Sequence, residues 1–234
     1  MSDFDFSYNR NNNKRQRRSE KIEEEDHPDD VKKETPKEYS KHELDCYNDV
    51  SKVFSKKNHI YFNGSVNKNT VYKMKQLLDK LNDEYSLFVS KNDMYNITPK
   101  PIYLHINSYG GGVFAAFAAI DFIKQSVIPV HTIIEGASAS AATLMSVVGE
   151  KRYMSKHGSM LIHQLSSWMG GKMSEMDDEY KNLEEMMANI TQIYLKHTKI
   201  KKKELEEYLK HDRWWDYNKC KQSGLIDAEW KGEH

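Results

Sequence analysis

The 234-residue chain is long enough for one α/β domain with a sizeable core plus a tail, and too short for a second full domain. Lysine plus arginine and aspartate plus glutamate both number 35, a balance that points to no nucleic acid and no acidic surface as partner. Cys46 and Cys220 do not make a disulfide framework, no run approaches the roughly 18–20 apolar residues of a membrane span, and Met1 to Arg10 lacks the apolar stretch of a secretory signal. A soluble cytoplasmic protein with no membrane partner is expected, an organelle or the nucleus remaining open.

Residues 1–49 are rich in Asn, Lys, Arg, Glu and Asp and poor in aliphatic side chains, so they are expected to form a disordered, charged tail ahead of a domain over residues 50–234. Within the tail, Lys14, Arg15, Arg17 and Arg18 are followed by Glu23, Glu24, Glu25 and Asp26, a block pattern suited to solvated charge. From His59 the pattern changes. Ile60, Tyr61 and Phe62 read as a strand, Asn63-Gly64 as a turn, and Val71 to Leu81 as a helix by its apolar spacing. The unit returns as strand Ile102 to Ile106, glycine turn Gly110 to Gly112 and helix Val113 to Lys124, then as strand Val130 to Ile134, turn, and helix Ser140 to Val148. Such repetition predicts an α/β fold with crossover connections.

Strands are expected near Arg152 to Met154 and Ser159 to His163, followed by a long helix from about Lys172 to His197. Along it Met173, Met176, Tyr180, Leu183, Met187, Ile190, Tyr194 and His197 recur at steps of three and four. The stripe suits either packing on the domain's own core or docking on a neighbouring subunit. A shorter helix near Lys202 to Lys210 follows, then one from Asp216, a good N-cap, to Gly224, a good stop.

Chemistry points to four places. Gly136-Ala137-Ser138-Ala139-Ser140-Ala141-Ala142 lies between an apolar strand and a helix, where small neighbours leave a serine accessible and free N–H groups favour developing negative charge. Alone, the same run would equally allow close helix packing. Asn107-Ser108-Tyr109-Gly110-Gly111-Gly112 also follows a strand and opens a helix, so its N–H groups can approach a ligand; it lacks the lysine of a phosphate loop and the spacing of a dinucleotide fingerprint. His163 ends the run Met160-Leu161-Ile162 and is placed to act as a base from a strand end, although a lone histidine there is commonly structural. Asp212, in His211-Asp212-Arg213-Trp214-Trp215, precedes aromatic residues able to shield it, or else is a surface carboxylate paired with Arg213.

Together these segments resemble the proteolytic subunit of the Clp protease, the ClpP family, in order and spacing over about Ser55 to Ala228. The matching pieces are His59-Ile-Tyr-Phe-Asn-Gly-Ser-Val66, Ile106-Asn-Ser-Tyr-Gly-Gly-Gly-Val113, Gly136-Ala-Ser-Ala-Ser140, Met160-Leu-Ile-His-Gln164, His197-Thr198, His211-Asp-Arg-Trp214 and Gly224-Leu-Ile-Asp227. The resemblance implies the spiral of strand-turn-helix units shared by ClpP and crotonase folds, with a long protruding helix. It implies Ser140 as nucleophile, His163 as general base, Asp212 as the acid orienting that base, and the N–H groups of Gly111 and Ala141 as oxyanion hole. Ser138, two places early, is the weaker nucleophile. The family needs no metal or organic cofactor. It cleaves polypeptides inside two stacked heptameric rings, using the long helix between rings, the segment Ser166 to Gly171 as a substrate-pairing strand, and an AAA+ unfoldase as partner.

The departures from the family are Tyr109 for proline, Ala137-Ser138 for Gln-Ala, Ala141-Ala142 for Met-Gly, and Leu165 for proline. None removes a triad side chain, but they keep open a catalytically weak, structural or regulatory subunit of a mixed ring. An acyl-CoA enzyme of the crotonase type would have no need of the Ser-His-Asp set. A serine-lysine signal-peptide peptidase would need a placed lysine and usually a membrane anchor, neither of which is evident.

Overall fold

The computed structural model describes residues 52–92 and 98–232, so the expected tail over residues 1–49, and Cys46 with it, lies outside the described residues. Strand β1 (Lys52–Lys56) and strand β2 (His59–Asn63) form an antiparallel hairpin with Lys56 opposite His59. Helix α1 (Lys68–Lys91) starts where Asn67 Oδ1 accepts the N–H groups of Asn69 and Thr70 while Thr70 Oγ1 accepts the Asn67 N–H, a reciprocal cap. Its apolar face, Val71, Met74 and Leu78, is buried on the sheet.

Strand β3 (Ile102–Ser108) pairs parallel with β2, and helix α2 (Val113–Gln125) returns the chain to strand β4 (Val130–Ala139), parallel to β3. Helix α3 (Ala141–Val147) is buried at every position. Strand β5 (Arg152–Met154) pairs parallel with Thr132–Ile134 of β4, whereas β6 (Ser159–Leu161) pairs parallel with Ala137–Ala139 of the same strand. One long strand therefore serves two neighbours in succession, which makes the sheet fork and wind. The expected turn after Ile134 is in fact strand: a register shift between Ile106 and Ser108 lets β4 continue to Ala139, where β6 supplies the partner.

Helix α4 (Met173–His197) begins within a residue of the expected start, its Lys172 N–H received by Glu175 Oε2. Of the stripe, Ile190 and Tyr194 are buried, whereas Met173 and Tyr180 are exposed, so the C-terminal half packs on the domain and the N-terminal half does not. Helix α5 (Lys202–Tyr208), strand β7 (Trp214–Trp215), helix α6 (Tyr217–Gln222) and strand β8 (Ala228–Glu229) follow. Asp216 caps α6 by accepting the Lys219 N–H, as its position predicts. Among the described residues the sheet has eight strands in the order β1-β2-β3-β4-β5-β8, with β6 and β7 branching from β4.

The helices cover one face of the sheet, where Ile60, Phe62, Leu104, Ile106, Ile134 and Met154 are fully enclosed. The period of two puts Tyr61, Tyr103 and His105 on the other face, where Phe54 stacks on Tyr61 and Tyr61 on His105. Arg152 ties the end of the chain to this frame. Its guanidinium donates to the carbonyls of His197 and Gly224 and to both Asp227 oxygens, and its N–H reaches Asp227 Oδ2 at 2.9 Å. Burial disfavours ionisation of Asp227, but the hydrogen bonds and charge of Arg152 outweigh it and hold the carboxyl below its usual range. The expected strand Ser166 to Gly171 has no regular structure and is exposed, because a strand requires a partner and no strand of this chain runs beside it among the described residues.

Candidate active site

The forked sheet converges on Ser140. Strand β4 ends at Ala139, α3 starts at Ala141, and the intervening reversal forces Ser140 to φ 53° and ψ −126°, a conformation that L side chains rarely adopt. Neighbouring bonds hold it there. The Ser140 N–H donates to the Leu161 carbonyl on β6 at 2.9 Å, and the Ser140 carbonyl accepts the Thr143 N–H at 2.9 Å. Strain of this kind persists only where the surroundings over-determine it. Ser138, by contrast, is fully buried in β4, and its hydroxyl is closed off from solvent.

The glycine turn lies against this elbow. A Cβ on Gly110 would stand 2.7 Å from the Ser140 Cβ and 2.8 Å from the Ala139 carbonyl oxygen, so the turn and the elbow touch only because Gly110 lacks one. Gly111 is held by Val66, whose N–H donates to the Gly110 carbonyl and whose carbonyl accepts the Gly112 N–H, both at 2.8 Å. These bonds use the groups on either side of Gly111. The N–H groups of Gly111 and of Ala141 take no hydrogen-bond partner among the described residues, and both residues line the same cleft as Ser140. Two unspent donors beside one serine suit an oxygen that gains negative charge.

His163 follows β6, and the Gln164 N–H anchors the segment to the Leu209 carbonyl at 2.7 Å. The β6–β7 ladder pairs Met160 with Trp215 and Leu161 with Trp214; continued antiparallel, it sets His163 opposite Asp212. The His163 Nδ1 lies 3.5 Å from Asp212 Oδ1, longer than a formed hydrogen bond, and it is Nδ1 rather than Nε2 that faces the carboxylate. Burial lowers the His163 pKa from its usual value, and the Asp212 charge opposes that shift in part, so the imidazole is neutral at pH 7 and able to accept a proton.

The structure thus brings Ser140, His163, Gly111 and Ala141 to one cleft, with Asp212 beside His163. The expected shielding of Asp212 is absent: its side chain is 78% exposed, because Trp215 turns into the core and Trp214 leans edge-on against Tyr109 instead. Nor is Asp212 paired with Arg213; its ionic neighbour is His163. The cleft holds about 20 Å³, room for one water, with Val113, Leu144, Leu165 and Ile190 as apolar walls. Larger hollows lie elsewhere, including one of about 490 Å³ between α1 and α2, but Ser140, His163, Asp212, Gly111 and Ala141 do not line it. Gly110 and Asn107 stand in the expected glycine-turn segment, but their contacts with the elbow leave no trace in the sequence. Asn107 Oδ1 accepts the Ala137 N–H at 3.3 Å, fastening the glycine turn to the strand that bears Ser140.

Among the described residues, no helix is long and apolar enough to cross a membrane. Residues 41–230 match the family model described as Clp protease. The chain is 31% identical over 133 residues to the ATP-dependent Clp protease proteolytic subunit 1 of Chlamydia pneumoniae, a match covering 55% of this chain and 70% of that one. It is 34% identical over 129 residues to the ATP-dependent Clp protease proteolytic subunit 2 of Treponema denticola, covering 54% of this chain and 64% of that one. A solved structure of a ClpP1 point mutant from Listeria monocytogenes shares the fold, with a TM-score of 0.63 at 22% identity over 76% of this chain and 93% of that one. A match over most of the chain, with the forked α/β sheet and the elbow between β4 and α3, makes this protein a divergent member of the ClpP family of Clp-type peptidases.

Proposed function

We propose that the chain is a serine endopeptidase in which Ser140 is the nucleophile, His163 the general base and Asp212 the residue that orients it. The observation that carries this reading is the left-handed Ser140 at a strand-to-helix elbow, sharing a cleft with a histidine whose other ring nitrogen faces a carboxylate. Ser140 Oγ attacks the peptide carbonyl while His163 Nε2 takes its proton, and the oxygen of the tetrahedral intermediate is received by the N–H groups of Gly111 and Ala141. His163 then protonates the leaving amine, forming an acyl-enzyme, and later draws a proton from the water that releases the second product. Asp212 keeps the Nδ1 proton in place throughout.

The substrates in this reading are unfolded polypeptides, degraded in a chamber of two heptameric rings and delivered by an AAA+ ATPase. Its support is the family membership and the long helix α4, whose N-terminal half leaves Met173 and Tyr180 exposed. Ser140→Ala should abolish both peptide hydrolysis and labelling by a fluorophosphonate. Undiminished labelling of that variant would remove Ser140 from its role. The small cleft of about 20 Å³ favours one second reading, a subunit that is weakly active until neighbours open the site. Ready labelling of the purified chain without any partner would exclude it.

A further inference from the structure

The long helix reaches the elbow through a pair of hydroxyl groups. Thr143, on α3, and Tyr194, near the end of α4, are both buried, and their oxygens lie 2.5 Å apart. Thr143 Oγ1 also donates to the Ser140 carbonyl at 2.5 Å. A threonine hydroxyl has one proton, and a carbonyl can only accept, so that proton goes to Ser140 and the Tyr194 hydroxyl must donate to Thr143. The relay therefore runs Tyr194 O–H to Thr143 O–H to Ser140 C=O. Burial raises the Tyr194 phenol above its usual pKa, so it keeps the proton it donates across the physiological range.

The Ser140 carbonyl is now held twice, by the Thr143 hydroxyl and by the Thr143 N–H at 2.9 Å. The peptide unit is planar, so fixing that carbonyl fixes the N–H on its other side, which belongs to Ala141. Hydrogen bonds in such a chain polarise one another in a dry interior. We propose that Tyr194 and Thr143 are positioning residues for the oxyanion hole, clamping the Ser140–Ala141 peptide so that the Ala141 N–H points at the developing oxyanion. The inference rests on the reading of Ser140 as nucleophile and Ala141 as oxyanion donor. Both hydroxyls are engaged within the protein. Tyr194 lines the floor of the cleft with Ile190 and Leu144 but spends its hydroxyl on Thr143.

The test uses the full chain in its assembled form, with Tyr194→Phe, Thr143→Val and Thr143→Ser compared for kcat and KM on a fluorogenic peptide, fluorophosphonate labelling rate and melting temperature. Tyr194→Phe and Thr143→Val should each lower kcat and labelling by about tenfold with KM within about twofold, as misaimed transition-state donors do. Thr143→Ser, which keeps the hydroxyl, should recover most of the loss. Wild-type kcat in folded Tyr194→Phe would overturn the proposal, as would a loss that tracks melting temperature without rescue by serine. Should Thr143→Val fail to fold, Tyr194→Phe against Thr143→Ser decides. A wild-type chain that neither labels nor cleaves would instead remove the nucleophile reading, and this proposal with it; labelling that is normal in wild type and in both hydroxyl-deleted variants removes this proposal alone.

Discussion

Replacing Gly111 by alanine introduces a methyl group where the backbone leaves no space for one. Built on the observed backbone, its Cβ would lie 2.2 Å from the Val66 carbonyl oxygen, and that atom belongs to a main chain that cannot rotate away. Relief requires the two segments to part, which breaks the Val66 N–H to Gly110 and Gly112 N–H to Val66 hydrogen bonds, both 2.8 Å. Losing each costs about 0.5–1.5 kcal/mol. Holding alanine at φ +149° adds strain, about 1–2 kcal/mol by the ordinary penalty for left-handed backbone. The sum, about 2–5 kcal/mol, is a large share of a domain's stability. For a chain of this size it should lower Tm by roughly 5–15 °C. Thermal denaturation followed by circular dichroism measures it, and a Gly111→Ala chain melting within about 2 °C of wild type would refute the steric argument.

Other outcomes follow from the same geometry. Arg152→Met leaves the His197 and Gly224 carbonyls without their guanidinium donors and the half-exposed Asp227 carboxylate with only the backbone N–H of residue 152, and should cost about 2–3 kcal/mol in urea denaturation; a loss under about 0.5 kcal/mol would contradict its tying role. Ser140→Gly removes the side chain from a left-handed backbone and should raise stability by about 1 kcal/mol while abolishing activity, whereas a destabilised glycine variant would show that Ser140 is unstrained. Burial, as the largest cause in each case, lowers the pKa of His131, His163 and His197 in the fold. Below about pH 6.5 the unfolded chain then binds protons that the folded chain refuses, so this stability is complete above that pH and declines as pH falls through it. The urea midpoint should be lower at about pH 5.5 than at about pH 7.5, and an unchanged or higher midpoint would contradict the shifts.

What the sequence made legible was whatever local pattern decides. The repeated strand-turn-helix units were readable because Ile60 to Phe62, Ile102 to Ile106 and Val130 to Ile134 are rich in β-branched and aromatic residues, with Ile60 and Phe62, and Ile102, Leu104 and Ile106, at alternate positions. Helix α4 was readable to within a residue from the spacing of its apolar stripe. Strands β1, β7 and β8 were not, since Val53 and Phe54 stand among lysines and serines and the other two strands are only two residues long, formed by pairing alone. The run from Gly136 to Ala139 reads as a turn by composition, and only the partner strand β6 makes it extended. Within the site, small residues and a glycine turn pointed to Ser140 and Gly111, whereas only the family resemblance joined His163 to Asp212; the β6–β7 ladder that sets them side by side is a long-range pairing without a local trace. Tyr194 was visible only as one member of a stripe; its link to Thr143 spans 51 positions and belongs to packing.

The nucleophile carries the whole account, and mapping the covalent adduct tests it most directly. The wild-type chain is treated with a fluorophosphonate, digested and analysed by tandem mass spectrometry. The adduct should fall on Ser140 and be lost in Asp212→Asn or His163→Ala chains, which lack the means to activate it. An adduct on Ser138 or another serine, or a folded, assembled chain that takes up no label at all, would contradict the assignment.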